Sequence, residues 1–177
     1  MDSPIEIRPL TVTPEVIGAL ADLLVETVAS GGSVSFLHPL APDAAAAFWT
    51  RSLAAADRDE RVVLGAWDGD RLAATVSLLL DSPPNAPHRG EIAKLMTRVS
   101  HRRRGVARAL MVEAEGVAVR RGRTLLTLDT GEDDGAAALY ESLGFERVGV
   151  IPDYAVKPHG GLQGTIVYLK RIGPAVA

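Results

Sequence analysis

The chain contains no cysteine among its 177 residues. Disulfides and thiolate nucleophiles are excluded, and a reducing compartment, the cytoplasm, is expected. No apolar stretch approaches the ~18 residues that a bilayer-spanning helix needs. Met1 to Leu10 carry Asp2, Glu6 and Arg8 in place of a basic segment followed by an apolar run, so a leader is not expected. The reading is a soluble chain with no membrane partner. Positive charge is not in excess either: the formal net charge is −3, which is unsuited to coating nucleic acid. Any basic site must therefore be local. His38, His88, His101 and His159 lack the pairwise spacing of a metal site and have no Cys neighbours, so no metal is expected. Ala44 to Ala47 is too short for a low-complexity segment, and no internal repeat is visible.

What is present suffices for one domain spanning 1–177, since 47% of the residues are hydrophobic and 23% charged. Ile5, Ile7 and Pro9 alternate with Glu6 and Arg8 as a short strand. Thr13-Pro14 then supplies an N-cap and a preset first helical position. Val16, Ile17, Leu20, Leu23, Leu24, Thr27 and Val28 recur at helical spacing up to Gly31-Gly32, where a positive φ ends the helix. Pro42-Asp43 opens a second helix through Phe48, Trp49 and Leu53. Arg61 to Trp67 and Leu72 to Leu80 read as strands of a hairpin turning at Asp68-Gly69-Asp70. Asp81 to Arg89, with three prolines, reads as a loop. A strand at Gly90 to Thr97, a helix at Gly105 to Arg121, a strand at Leu125 to Asp129, a short helix at Asp134 to Ser142, and strands at Phe145 to Val150 and Gly164 to Lys170 complete the chain. This order predicts an α/β (α+β) domain: a mixed central sheet of about six to seven strands with helices on both faces.

The most informative stretch is His101-Arg102-Arg103-Arg104-Gly105-Val106-Ala107-Arg108. It joins an apolar strand to an amphipathic helix. Gly105 and Ala107 minimise side-chain bulk, and the first helical turn presents unpaired N–H groups beside concentrated positive charge. That combination fits a pyrophosphate. The spacing, Arg102, two residues, Gly105, one residue, Ala107, resembles the signature of the GNAT superfamily of acetyl-CoA-dependent N-acetyltransferases. Leu139-Tyr140-Glu141-Ser142-Leu143-Gly144-Phe145 follows at the family's separation, and the match is strongest from Glu91 to Lys170. Within the family, Glu91-Ile92-Ala93-Lys94-Leu95-Met96, Leu128-Asp129-Thr130, Pro152-Asp153-Tyr154 and Ile166-Val167-Tyr168-Leu169-Lys170 look like the tabtoxin-resistance type, which acetylates an amine of a β-lactam toxin.

The resemblance implies the GNAT fold, acetyl-CoA as cosubstrate, and an enzyme that acetylates a primary amine of a small molecule: a toxin, an antibiotic or an amino-acid-like metabolite. It implies that the strand carrying Leu95, Met96 and Thr97 splays at a bulge to bond the pantetheine arm, with the Met96 amide donating to the thioester carbonyl. Arg102, Arg103, Arg104, Gly105, Val106, Ala107 and Arg108 would hold the phosphates, by backbone amides ahead of any single guanidinium. Tyr140 occupies the family's general-acid position, the alternative being a ring that only packs. Glu91 and Asp129 end adjacent strands and are the candidate general bases; the bland alternative is surface carboxylates, with Glu91 paired to Lys94 or Arg89. Asp133 stands where many relatives have Asn, which puts that residue's usual hydrogen bond in question. Phe48 and Trp49 belong either to the acceptor pocket or to the core, with core favoured. Tyr154 and His159 are placed in the loop before the last strand, with acceptor contacts as their weakest-supported role. Three other readings stay open: acetylation of a protein α-amine or lysine, non-catalytic acyl-CoA binding, and a nucleic-acid module, the last disfavoured because the basic cluster sits where a cofactor's phosphates belong. No nucleic-acid partner is expected, and the assembly is a monomer or a homodimer.

Overall fold

Thr13 starts the first helix as its sequence predicts: its Oγ1 accepts from the Val16 amide at 3.2 Å, with Pro14 at the first helical position. The computed structural model describes residues 5–173. In chain order its elements are β1 (Glu6–Pro9), α1 (Pro14–Ala29), α2 (Pro42–Asp57), β2 (Arg61–Asp68), β3 (Arg71–Leu79), β4 (Arg89–Thr97), α3 (Val106–Arg120), β5 (Leu125–Gly131), α4 (Ala137–Ser142), β6 (Glu146–Val156) and β7 (Leu162–Arg171). A single 3₁₀ turn, Val99–His101, lies between β4 and α3. The strands form one sheet in the order β1-β2-β3-β4-β5-β7-β6, antiparallel throughout except where β4 meets β5.

β2 and β3 are buried on both faces, which is why they read as apolar runs without alternation. Gly65 sits at a crowded point of the sheet, since a Cβ there would meet Leu10 Cδ2 at 2.7 Å and Leu72 Cδ1 at 2.9 Å. On one face Leu20, Leu24, Trp49 and Leu53 of α1 and α2 cover Val63, Leu72 and Met96. On the other, Leu110, Met111 and Ala114 of α3 with Tyr140 of α4 cover Leu64, Val76, Leu78, Ile92 and Leu126. The mixed sheet with helices on both faces is thus the one expected from the element order. Trp49 is fully buried, which settles it in the core; Phe48 is half-buried, edge-on to Phe36 and Trp49.

Two element boundaries differ from the sequence reading by three residues or more, each for a local reason. The short helix begins at Ala137 rather than Asp134, because the Asp134 carboxylate turns back to accept from the Gly131 amide at 3.2 Å and Gly135 takes φ +70°. β6 runs past Val150 to Val156 through an irregularity in which Ile151 pairs with Thr165 and Ala155 with Gln163, with Asp153 at φ +50°. Pro152 is tolerated there because β6 is an edge strand. Tyr154 is consequently an exposed strand residue, not a loop residue.

The end of β4 is fixed by Arg98, which is buried and donates to the Leu72 carbonyl at 2.7 Å and to Glu26 of α1 at 2.7 Å. The other Glu26 oxygen accepts from the Val99 amide at 2.8 Å. Burial opposes ionisation of Glu26, but the Val99 amide, the Arg98 hydrogen bond and the charges of Arg98 and Arg71 outweigh it and hold the carboxyl below its usual value. A depressed folded-state pKa contributes stability above the unfolded value that is lost as pH falls through the folded one. Glu26→Gln is therefore expected to cost about 1–2 kcal/mol at neutral pH, the scale of hydrogen bonds to a charged group. Urea denaturation should show the gap between parent and variant shrinking as pH drops below ~4.3, the ordinary glutamate value; a gap constant into the acid range would contradict the assignment.

Candidate active site

β4 and β5 pair over three residues only, Arg89 with Leu125, Gly90 with Leu126 and Glu91 with Thr127. Beyond that point β4 stays on β3 as far as Thr97 while β5 follows β7 to Gly131, so the two neighbours part. The divergence has a visible cause in β4: Thr75 pairs with Met96 and Ser77 with Ala93, leaving Lys94 and Leu95 opposite the single residue Val76. Lys94 takes φ +53°, a left-handed conformation rare for a side-chain-bearing residue inside a strand. The gap opens into a cleft of about 530 Å³ lined by the whole run from Glu91 to Thr97. Backbone groups of that run which would otherwise bond a neighbouring strand face it instead.

Glu91 and Asp129 enter the cleft from opposite sides of the gap. The register Glu91–Thr127 puts Asp129 on the same sheet face as Glu91, since side chains alternate with period two. Burial and the neighbouring Asp129 charge push the Glu91 carboxyl above its usual value, against the pull of Arg89 and Lys94. Neither Lys94 nor Arg89 lies within ion-pair distance of Glu91 among the described residues, so the bland pairing is not formed. Asp129 accepts from the Thr165 hydroxyl at 2.9 Å, which fixes its orientation. Lys94 reaches the Ser35 hydroxyl at 3.0 Å with its Nζ 5.8 Å from the Phe48 ring centroid. Burial lowers its pKa, opposed by the charges of Asp129 and Glu91.

At the other end of the cleft the chain turns into α3. Arg103 and Gly105 both have positive φ, +59° and +79°, and no side chain caps the helix, so the amides of its first turn point out unpaired. Nothing lies within 4 Å of a Cβ built on Gly105, so the approach to these amides is open. Ala107 and Arg102 line the cleft; the Val106 side chain is buried in the core, leaving only its backbone for a ligand. Arg102 donates to the Thr97 carbonyl and the Ser30 hydroxyl, Arg108 donates to Ser142 Oγ at 2.6 Å, and Arg104 lies 3.9 Å from Asp68. These donors and cations suit a diphosphate.

Tyr140 of α4 lines the same cleft, packed against Phe145 and Tyr168 with ring centroids 6.1 and 5.9 Å away. Its hydroxyl has no hydrogen-bond partner among the described residues. Burial first, then the charges of Asp134 and Asp129 and the neighbouring Tyr168, push its pKa up to about 12.

The structure therefore brings Glu91, Leu95, Met96, Thr97, Arg102, Ala107, Asp129 and Tyr140 to one cleft, with Arg103, Arg104, Gly105 and Arg108 in the turn at its end. Asp133 also lines it and carries Lys157 at 3.3 Å, a link that an Asn would not charge-balance. His159 is held away from this role, its Nε2 at 3.1 Å from the Ala29 carbonyl and its ring tilted against that of His38 with centroids 4.5 Å apart. The sequence reading missed Thr27, Ser30, Gly31 and Gly32 at the end of α1, and Asp134, which with Ser33 to Ser35 form the far wall. The one legible signal was Lys94, a charge within the otherwise apolar run Ile92 to Met96.

The model of the acetyltransferase (GNAT) family matches residues 30–145. An uncharacterized N-acetyltransferase, YsnE of Bacillus subtilis (strain 168), is 37% identical over 98 residues, covering 53% of this chain; the chain spans 62% of the length of that curated relative. The ribosomal-protein-alanine N-acetyltransferase from Brucella melitensis superposes with a TM-score of 0.80 at 21% identity over 94% of this chain and 99% of that one. A putative acetyltransferase from Salmonella typhimurium, solved with its cofactor acetyl-CoA, gives a TM-score of 0.78 at 17% identity over 99% and 98%. No helix among the described residues is long and apolar enough to cross a membrane. With the family's model covering most of the cleft and its cradle, this chain belongs to the GNAT family of acetyltransferases.

Proposed function

We propose that the chain transfers an acetyl group from acetyl-CoA to a primary amine of a small molecule. The observation that carries this reading is one continuous cleft with an amide-rich cationic turn at one end and two carboxylates with a tyrosine hydroxyl at the other. Acetyl-CoA, when bound, supplies the acetyl group already activated as a thioester. The amides from Arg103 to Arg108 bind its diphosphate, aided by the nearby guanidinium groups, and the backbone of Leu95, Met96 and Thr97 holds the arm, with the Met96 amide donating to the carbonyl oxygen. Glu91 or Asp129 takes the proton from the acceptor amine as its nitrogen bonds the acetyl carbon. Tyr140, protonated across the physiological range because its pKa lies near 12, gives its proton to the sulfur that departs.

A small acceptor is favoured because the cleft has a third wall. Gly31 to Ser35 line it on that side, and this connection is tied to the β6–β7 turn by the His38 amide donating to the Pro158 carbonyl at 2.9 Å and by His159 on Ala29. The acidic lining suits a cationic amine. The motif likeness to the tabtoxin-resistance type, carried by Glu91 to Met96 and Leu128 to Thr130, supports an acceptor such as a toxin or an amino-acid-like metabolite.

Tyr140→Phe should lower kcat about 100-fold, the usual scale for removing a general acid, while calorimetric affinity for coenzyme A stays within about twofold; unchanged kcat would remove Tyr140 from the chemistry. Because the Glu91 pKa is raised, activity should fall as pH drops through a value above that of an ordinary glutamate. Glu91→Gln should lower the rate and abolish that acid limb, and Asp129→Asn should lower the rate; profiles matching the parent for both would discard the base assignment. Gly105→Ala forces a Cβ into the left-handed region, costing about 1–2 kcal/mol of stability, and should weaken coenzyme A binding because the adjacent amides shift; chemical denaturation and calorimetry read the two effects separately.

A further inference from the structure

The acceptor end of the cleft carries charges of both signs: Glu91 and Asp129 are joined by Lys94. Mixed charges in a cleft usually neutralise one another by pairing. Here they do not, for no carboxylate lies within ion-pair distance of Lys94 Nζ among the described residues. Its hydrogen bond goes to the neutral Ser35 hydroxyl and its outer side to the Phe48 ring. An ammonium has three N–H donors, so donors remain beyond the one on Ser35. The Lys94 backbone is held at φ +53°, which aims this side chain out of the ladder and toward α2 and the α1–α2 connection. A lysine there is costly twice over, in backbone conformation and in the partial burial of an unpaired charge. Neither cost is needed to bind an amine, which the carboxylates alone would attract and which Lys94 repels.

We infer that Lys94 is a specificity-determining residue that binds an acidic group of the acceptor, and that the acceptor is an amino carboxylate, its ammonium side drawn to Glu91 and Asp129 and its carboxylate to Lys94. This deepens the small-molecule reading above and rests on it. A polyamine or an aminoglycoside, cationic throughout, would place positive charge against Lys94 and is disfavoured.

The test compares L-amino acids with their own carboxamides, for example leucine with leucinamide and methionine with methioninamide, as acceptors with acetyl-CoA, monitored by free thiol. The pair differs in one charge at constant shape. In the parent the ratio of kcat/KM, acid over amide, should fall about tenfold or more in Lys94→Gln, matching the loss of a hydrogen bond to a charged group, and Lys94→Arg should restore most of it. Comparing ratios between proteins cancels the differing basicities of the two amines, and both variants keep a side chain at the strained backbone position. A lysine that merely keeps Glu91 and Asp129 ionised would change both members of a pair alike and leave the ratio unmoved, which overturns the inference. The same pairs are titrated calorimetrically into the protein loaded with coenzyme A. Acid-selective binding that depends on Lys94, without thiol release from any amine, would sink the transferase reading and support Lys94 as an anchor; acid and amide binding equally in parent and Lys94→Gln would sink the anchor.

Discussion

The parting of β4 from β5 is the constraint on which the remainder of the site depends. A sheet gains by pairing its strands to their full length, and here two neighbours stop after three residues. What keeps them apart is not a missing residue but an extra one: Lys94 and Leu95 occupy the space opposite Val76 and turn the strand away. The far end of β4 is then pinned by Arg98 to Leu72 and to Glu26, so the strand has no freedom to swing back. The 3₁₀ turn that follows carries His101, buried between Ser100 and Asp68 at 2.8 and 3.1 Å, which anchors the approach to α3 on the β2–β3 hairpin. The cradle amides are thus positioned from two sides by buried polar groups, while the cleft itself stays open.

An opening between strands exposes polar backbone to whatever enters, and it also concentrates side chains whose charges are poorly screened. Glu91 is pushed toward its neutral form and Lys94 toward its own, both mainly by burial, because the same walls that exclude water weaken the stabilisation of charge. Tyr140 is held protonated by the same burial. In the reading proposed above, proton acceptor and proton donor differ through their environments within one small volume. Such an arrangement is what acid–base transfer to an amine demands, and it also explains why an acceptor bearing both charges would be better matched than one bearing a single sign.

Much of this was legible in the chain. Thr13-Pro14 and the hairpin turn at Gly69 each act through contacts only a few residues away, so their outcome follows from local chemistry. The boundaries that moved did so where a distant or competing partner intervened: Asp134 spent its side chain on Gly131 instead of extending a helix, and β6 kept its pairing past Pro152 because β7 was there to accept it. Trp49 illustrates the ambiguity of composition, as an aromatic on a helix near the cleft proved to be pure core.

The sequence by itself determined the order of elements and pointed to the glycine turn and to candidate proton-moving residues, because helix starts, turns and motif spacing are encoded over short separations. Only the tertiary structure decided which groups share a volume. Ser35 meets Lys94 and Glu26 meets Arg98 across long stretches of chain, and these encounters set where the Lys94 side chain rests and where β4 ends. Such contacts are set by how two helices and a bulged strand pack together, a property of the folded whole that no local pattern of residues carries.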